Sequence, residues 1–171
     1  MVEDPSLGRV ILCDASPLIF LAKLNRLDLI ARVTEARPLV LQVVVDEILH
    51  ARAAPLEGER LRAWLDGVDV VVSKESLFES SALSLSDRAS LAYAFQKQVD
   101  WFLVDERLLR RFAKERGIRV IGFCGLLLRA SEKGVLNRSE AQALLDRSIR
   151  EHGLRISIEL YQGIRERLAD G

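Results

Sequence analysis

The apolar run Val10-Ile11-Leu12-Cys13 ends directly on an acid, Asp14, and this stretch constrains the fold more than any other. A short apolar run of this kind is typical of a strand buried inside a parallel sheet. Ser16 and Pro17 follow at once, and they suit the N-cap and the first position of a helix. The sequence therefore predicts a strand over residues 9–13 that delivers the Asp14 carboxylate to a sheet edge, followed by a helix over residues 17–23.

The rest of the chain alternates short apolar runs with amphipathic segments. Further strands are predicted at residues 39–41, 68–72, 101–104 and 118–121. Helices are predicted from residue 42 and from residue 84, and over residues 59–65, 106–116, 125–133, 139–151 and 158–168. This alternation predicts a three-layer α/β/α fold with a central, mostly parallel sheet of about five strands. We expect residues 1–8 to form a flexible lead and residues 9–171 to form one domain.

Composition limits the classes of function. Lysine plus arginine and aspartate plus glutamate number 25 each, which argues against a globally basic nucleic-acid binder but allows a local basic patch. Cys13 and Cys124 lack the paired spacing of a zinc site, so we expect reduced thiols in a cytoplasmic protein. The longest apolar runs are too short to span a membrane.

Four acids are predicted to meet at one edge of the sheet. Asp14 follows the first strand and Asp105 follows the fourth, and ligand sites in open parallel sheets form outside the carboxyl ends of the strands. Glu47 lies one turn into the helix after the second strand, and Asp87 begins the helix before the fourth. Four ionised carboxylates repel one another, so a divalent cation held by oxygen ligands, Mg²⁺ or Mn²⁺, is the predicted occupant.

Each acid also has a structural alternative. Asp14 and Asp105 could each cap the helix that follows, and Asp87 suits a first helical turn whatever its function. Glu47 competes with its neighbour Asp46 for the site, and the helical pattern favours Glu47 because it directs Asp46 to solvent.

The predicted helix after Asp105 is basic along one face. Its residues at three- and four-residue spacing are Arg107, Arg110, Arg111 and Lys114. This face could bind RNA phosphates, or it could be a solvated face balanced by neighbouring glutamates. Arg88, directly after Asp87, could likewise reach a phosphate or pair with a nearby acid.

Four segments of the chain resemble the acidic motifs of PIN-domain ribonucleases. They are Asp14-Ala15-Ser16-Pro17-Leu18-Ile19, Val44-Val45-Asp46-Glu47-Ile48, Leu85-Ser86-Asp87-Arg88-Ala89 and Leu103-Val104-Asp105-Glu106-Arg107. The segments 117–122 and 125–127 resemble a prokaryotic branch of predicted nucleic-acid-binding PIN proteins. The chain departs from the family pattern at Leu103, where many members have threonine, and at Ser86-Asp87, where this branch has Gly-Glu.

The resemblance implies a metal-dependent endoribonuclease that hydrolyses phosphodiester bonds of single-stranded RNA. By position, Asp14, Glu47, Asp87 and Asp105 would be the catalytic metal ligands for one or two Mg²⁺ (or Mn²⁺) ions, and Ser16 would support Asp14. It also implies the toxin of a toxin–antitoxin pair, an antitoxin partner and a homodimer, and we expect the apolar segment 126–128 to offer surface for association.

Two other classes of function are open at this stage. One is a catalytically weak or inactive module that binds nucleic acid or protein, although such a module has no need to keep four like charges together. The other is a phosphatase or receiver-like domain, which would need a lysine after the fifth strand, where Gly122-Phe123 stands.

Overall fold

A computed structural model describes residues 8–74 and 76–170, and it contains a sheet of five parallel strands. The strands are β1 (Val10–Cys13), β2 (Arg37–Leu41), β3 (Asp69–Val71), β4 (Trp101–Leu103) and β5 (Arg119–Ile121). Their order is β3-β2-β1-β4-β5, so β1 is central. The register places Leu12 opposite Leu39 of β2 and Cys13 opposite Leu103 of β4. The predicted lead falls largely on residues 1–7, which lie outside the described residues.

Helices cover the sheet and form the predicted three-layer α/β/α arrangement. They are α1 (Ala15–Lys23), α2 (Leu29–Thr34), α3 (Gln42–Glu47), α4 (Pro55–Leu65), α5 (Leu85–Lys97), α6 (Arg107–Glu115), α7 (Phe123–Glu132), α8 (Arg138–Arg150) and α9 (Ile158–Asp170). A π-helical turn, Ile48–Arg52, continues α3. Helix α7 packs against α1, α2, α8 and α9, whereas α5 packs against α3 and α6. Within the part of the chain that the structure describes, no helix is long and apolar enough to cross a membrane.

The core is centred on β1 and β4. Ile11, Leu12, Phe102 and Leu103 are completely buried. Helices cover both faces of these strands, which explains why each reads as a continuous apolar run. Burying one such side chain contributes about 1.5–3 kcal/mol, so these two strands are rigid supports for whatever follows their carboxyl ends.

The first helix begins earlier than predicted. It starts at Ala15, and Asp14 occupies the N-cap position with extended backbone (φ −93°, ψ 165°). Ser16 therefore lies inside the first turn and is not the N-cap. The physical reason is that the chain leaves β1 in an extended conformation and turns at once.

The helix predicted to start at residue 59 starts instead at Pro55. Pro55 and Gly58 were expected to interrupt the chain, but proline suits the first helical position, where its missing N–H has no intrahelical partner to lose. Gly58 lies inside the helix, and the Arg62 guanidinium packs 3.3 Å from the position that a Cβ on Gly58 would occupy.

The apolar segment 126–128 does not supply surface for association. Leu126 is completely buried, Leu127 is 1% exposed and Leu128 is 7% exposed, because α7 lies between α1, α2, α8 and α9. Exposed apolar side chains lie elsewhere, among them Ile158 and Leu160 on α9 and also Leu56, Val72 and Leu85.

Candidate active site

Asp14 lies at the centre of the carboxyl edge of the sheet. The chain runs outward from β1 to β2 and β3 on one side, and to β4 and β5 on the other, so Asp14 stands where the strand order reverses. Its N–H donates to the Leu103 carbonyl at 3.0 Å, which continues the pairing of β1 with β4. The side chain is only 4% exposed and makes no capping hydrogen bond to α1. Helix capping therefore does not account for a buried carboxylate at this position.

Asp105 follows the neighbouring strand and contacts the start of α7. Its Oδ1 accepts a hydrogen bond from the Phe123 N–H at 2.8 Å, whereas α6 is capped by Glu106, whose Oε2 accepts from the Leu109 N–H at 2.8 Å. The alternative that Asp105 caps the helix directly after it is thus wrong. The other oxygen, Oδ2, is buried and accepts no hydrogen bond from any described residue.

The surroundings of Asp105 disfavour its charged form. Burial raises the pKa of the Asp105 carboxyl, and the Phe123 N–H and the Arg110 guanidinium oppose that rise. A buried oxygen without a hydrogen bond is uncommon in folded proteins and calls for a water, an ion or a functional reason. A cation at Oδ2 would stabilise the ionised carboxylate.

Gly122 packs directly against Asp105 and Arg110. Arg110 Nη1 donates to the Val104 carbonyl at 3.0 Å, and this bond holds the guanidinium beside the acid. A Cβ on Gly122 would lie 2.5 Å from Arg110 Nη1 and 2.5 Å from Asp105 Oδ1, closer than real contacts allow. The absence of a side chain at residue 122 is therefore part of the site. Sequence analysis missed this role, and the one available signal was a glycine between the last strand and a helix.

Cys124 lies next to this group on α7. Burial and the Asp105 charge together raise the pKa of the Cys124 thiol to about 12, and Arg110 opposes the shift. The thiol is therefore protonated at neutral pH and is a poor metal ligand or nucleophile there. Both cysteines are free, as expected.

Glu47 is the last residue of α3 and contacts α5. Its Oε2 accepts a hydrogen bond from Ser86 Oγ at 2.5 Å. Glu47 is half-buried, whereas its neighbour Asp46 is exposed and accepts from the Gln42 side-chain amide at 2.8 Å. The structure thus places Glu47 against the body of the protein and Asp46 at its surface.

Asp87 forms the N-terminal cap of α5. Its Oδ2 accepts from the Ser84 N–H at 3.2 Å, and its own N–H donates to Ser84 Oγ at 3.1 Å. These reciprocal bonds form a capping box, so the role of Asp87 in the first turn of the helix accounts for its position. In this turn, the side chain of Ser86 contacts another of the four acids, Glu47.

The four acids do not form one closed cluster. Among residues 8–74 and 76–170, no three histidine, cysteine, aspartate or glutamate side chains lie close enough together to hold one metal ion. Asp14 and Asp105 follow adjacent central strands, whereas Glu47 and Asp87 lie with the serines at the start of α5.

A cleft of about 990 Å³ opens beside Asp105. It extends from Ser16 and Phe20 on α1 to the C-terminal part of the chain. The cationic residues that line it are Arg107, Arg110, Arg155 and Arg167. Arg167 is already paired with Glu132 at 2.6 Å, and Arg155 is exposed. Sequence analysis missed Arg155 and Arg167, because β5, α7 and α8 separate them from Asp105 along the chain.

The structure divides the predicted phosphate-binding arginines. Arg107 and Arg110 line the cleft. Arg111 and Lys114 do not line it; they are exposed on α6, where they border a second depression together with Arg107 and Arg110, and Arg111 is 3.7 Å from Glu115. Arg88 Nε donates to the Phe78 carbonyl at 2.8 Å, which ties the loop before α5 to that helix.

A family model described as "DUF3368: PIN domain" matches residues 10–170. The chain belongs to the PIN-domain family. No curated protein matches it. Among solved structures, it is similar to a PilT N-terminus domain protein from the hyperthermophilic archaeon Sulfolobus solfataricus P2, at 13% identity and a TM-score of 0.50 over 86% of this chain and 99% of that chain. At that identity, the likeness shows the fold alone.

A PIN domain has a nuclease-type fold, and PIN domains typically use divalent metals and bind nucleic acids. The donor chemistry of this PIN domain fits such an ion. Asp105 offers a buried carboxylate oxygen without a hydrogen bond among the described residues, and Asp14 offers a second carboxylate from the adjacent strand. Mg²⁺ is commonly held by one or two carboxylates together with waters and substrate phosphates, so a closed cage of three acids is not required.

Proposed function

We propose that this PIN domain is a metal-dependent endoribonuclease that hydrolyses phosphodiester bonds of single-stranded RNA. The observation that carries the proposal is the buried Asp105 Oδ2, which accepts no hydrogen bond from the described residues and belongs to a side chain lining an arginine-bearing cleft. An uncompensated buried carboxylate is costly, and a cation beside it would offset that cost. The same cation would then lie next to a surface suited to phosphates.

Asp14 and Asp105 would hold one Mg²⁺ or Mn²⁺ ion, with waters completing its coordination. Glu47 and Asp87 would complete the site directly or through waters, and a second ion is compatible with the proposal. When bound, the ion would lower the pKa of a coordinated water and offset charge on the phosphate.

The protein's own contribution is to position and to bind. The Val104 carbonyl holds the Arg110 guanidinium beside Asp105, and Gly122 leaves room for it, so that it can bind a phosphate oxygen. Arg107 and Arg155 supply further positive charge along the cleft. Ser16 also lines the cleft, in the turn that follows Asp14.

The test is incubation of a mixed pool of single-stranded RNA with the purified protein and Mg²⁺ or Mn²⁺. We expect cleavage with either ion and none when EDTA is present, because the chelator removes the ion that would activate the attacking water. Cleavage that persists in EDTA would contradict the metal-dependent mechanism. RNA binding without cleavage, with Mg²⁺ and with Mn²⁺, would instead support the non-catalytic module. The observation that favours this alternative is that the four acids do not form one closed cluster among the described residues.

Replacing Arg107 or Arg155 by Ala should weaken RNA binding without regard to sequence. Each lost phosphate contact should lower the slope of log K against log salt by about 0.7, because fewer counterions are released. Binding is measured by fluorescence anisotropy in EDTA, so that the RNA stays intact. Arg147→Ala is the matched control, because Arg147 is exposed on α8, is 3.5 Å from Glu151 and is not among the described residues that line the cleft. If the slope is equal for all three variants, Arg107 and Arg155 do not contact RNA phosphates.

The resemblance to toxin-like PIN proteins supports the finer parts of the proposal: a cytoplasmic toxin, an antitoxin partner and a homodimer. The exposed Ile158 and Leu160 on α9 are apolar groups that an antitoxin or a second copy could cover. Growth arrest on expression, relieved by a neighbouring gene product, would support the toxin role. A monomer in sedimentation at micromolar concentration would contradict the homodimer.

A further inference from the structure

We propose that Ser86 is a positioning residue that sets the Glu47 carboxylate for metal binding. In this view, the third acidic motif acts on the site mainly through the Ser86 hydroxyl and to a lesser extent through Asp87. The inference rests on the proposed function. It assigns a role to Ser86, which is not one of the four acids of the family motifs.

The contact between the two side chains is short and directional. Ser86 Oγ lies 2.5 Å from Glu47 Oε2, within the range of hydroxyl–carboxylate hydrogen bonds. An ionised carboxylate can only accept, so the serine must donate. Ser86 is 5% exposed, which shields this bond from competing water. A buried hydroxyl bonded to one carboxylate oxygen restricts the orientation of the whole carboxylate.

Glu47 stands where the α-helix changes to a π-helical turn. It is the last residue of α3, and the π-helical turn Ile48–Arg52 follows it directly. Changes of this kind within a helix are frequent at functional sites. At this position Ser86 on α5 provides the Glu47 side chain with a tertiary contact.

The capping box separates the roles of the two neighbouring residues. Asp87 Oδ2 is engaged by the Ser84 N–H, which holds it at the helix end. Ser84 Oγ lies 2.9 Å from Ser86 Oγ, so the cap also supports the serine that contacts Glu47. Asp87 therefore stabilises the turn from which Ser86 reaches the acid.

Mn²⁺ titration by calorimetry tests the proposal on the full chain. Ser86→Ala should weaken Mn²⁺ binding about 10–100-fold, the usual effect of losing an outer-shell partner of a metal ligand. Ser86→Thr keeps the hydroxyl and should restore much of the affinity. Asp87→Asn keeps an oxygen that can accept from the Ser84 N–H, and it should change affinity less than Ser86→Ala does.

Ser90→Ala is the matched control. Ser90 lies on the same helix, is completely buried, and its Oγ has no hydrogen-bond partner among the described residues. This variant also removes a buried hydroxyl, but it should leave Mn²⁺ affinity unchanged. Thermal unfolding of each variant separates a loss of stability from a loss of affinity.

The outcomes distinguish this inference from the proposed function. If Ser86→Ala binds Mn²⁺ as the wild type does, the positioning role is overturned, whether or not the wild type cleaves RNA. If the wild type binds Mn²⁺ and Ser86→Ala binds it weakly, but neither cleaves RNA, the positioning role stands and the nuclease proposal fails. If the wild type binds no Mn²⁺, both are overturned.

Discussion

Replacing Asp14 by Asn should reduce metal-dependent RNA cleavage by about 100-fold or more. Loss of an outer-shell partner of a metal ligand costs about 10–100-fold, and loss of a direct ligand should cost at least as much. Asn keeps the shape of the side chain but removes the charge that would hold the cation. Asn has nearly the same volume, and it removes a charge that is costly to bury, so the variant should fold and should unfold at the wild-type temperature or above it. Initial cleavage rates and thermal unfolding measured together check both statements.

Thermal unfolding with added Mn²⁺ provides a second readout. A ligand that binds only the folded state raises stability by about 2.7 kcal/mol when its concentration is 100 times its Kd. Mn²⁺ should therefore raise the unfolding temperature of the wild type and have little effect on Asp14→Asn. Full activity of the variant, or an equal Mn²⁺ effect on both proteins, would remove Asp14 from the metal site.

Replacing Gly122 by Ala should also cause a large loss of cleavage, of about 100-fold, which is the scale reported for displacements of about 1 Å in an active site. The new Cβ would lie 2.5 Å from Asp105 Oδ1 and 2.5 Å from Arg110 Nη1. Both atoms are at the ends of side chains, so the clash is relieved when they move and the fold need not break. The expected result is a folded protein with weak Mn²⁺ binding, measured by circular dichroism and calorimetry.

Gly125→Ala is the control for that variant. Gly125 lies inside α7, three residues after Gly122, and lines the same cleft, but among the described residues its Cβ would meet only Ile121 Cγ1, at the ordinary contact distance of 3.4 Å. Alanine inside a helix is favoured over glycine by about 0.5–1 kcal/mol, so this variant should be slightly more stable and should retain cleavage. Equal activity of the two variants would show that Gly122 does not hold Asp105 in place.

The parallel sheet could be predicted because its central strands are buried on both faces. Val10–Cys13 and Trp101–Leu103 read as unbroken apolar runs, and each is followed closely by an acid.

Helix boundaries were harder to predict. Asp14 and Ser16 both suit an N-cap, and only the path of the chain out of β1 decides between them. Pro55 can either end or begin a helix, and the packing of α4 against α1 favours the second.

The candidate site could be predicted only in part. The acids after β1 and β4 lie at the carboxyl edge because parallel strands direct their ends to one side of the sheet. The partners of those acids come from distant parts of the chain and carry no local pattern. Asp105 bonds to the Phe123 N–H across β5, and Glu47 accepts from Ser86 on another helix.

The mostly parallel sheet could be predicted from the sequence alone, as could the positions of Asp14 and Asp105 after two of its buried strands. Burial periodicity is a local property, so it can be read from neighbouring residues. Three other relations are visible only in the folded protein: Asp105 contacts α7 while Glu106 caps α6, Gly122 makes room for Asp105, and Arg155 lines the cleft. Those relations depend on the packing of elements far apart in the chain, which no local pattern specifies.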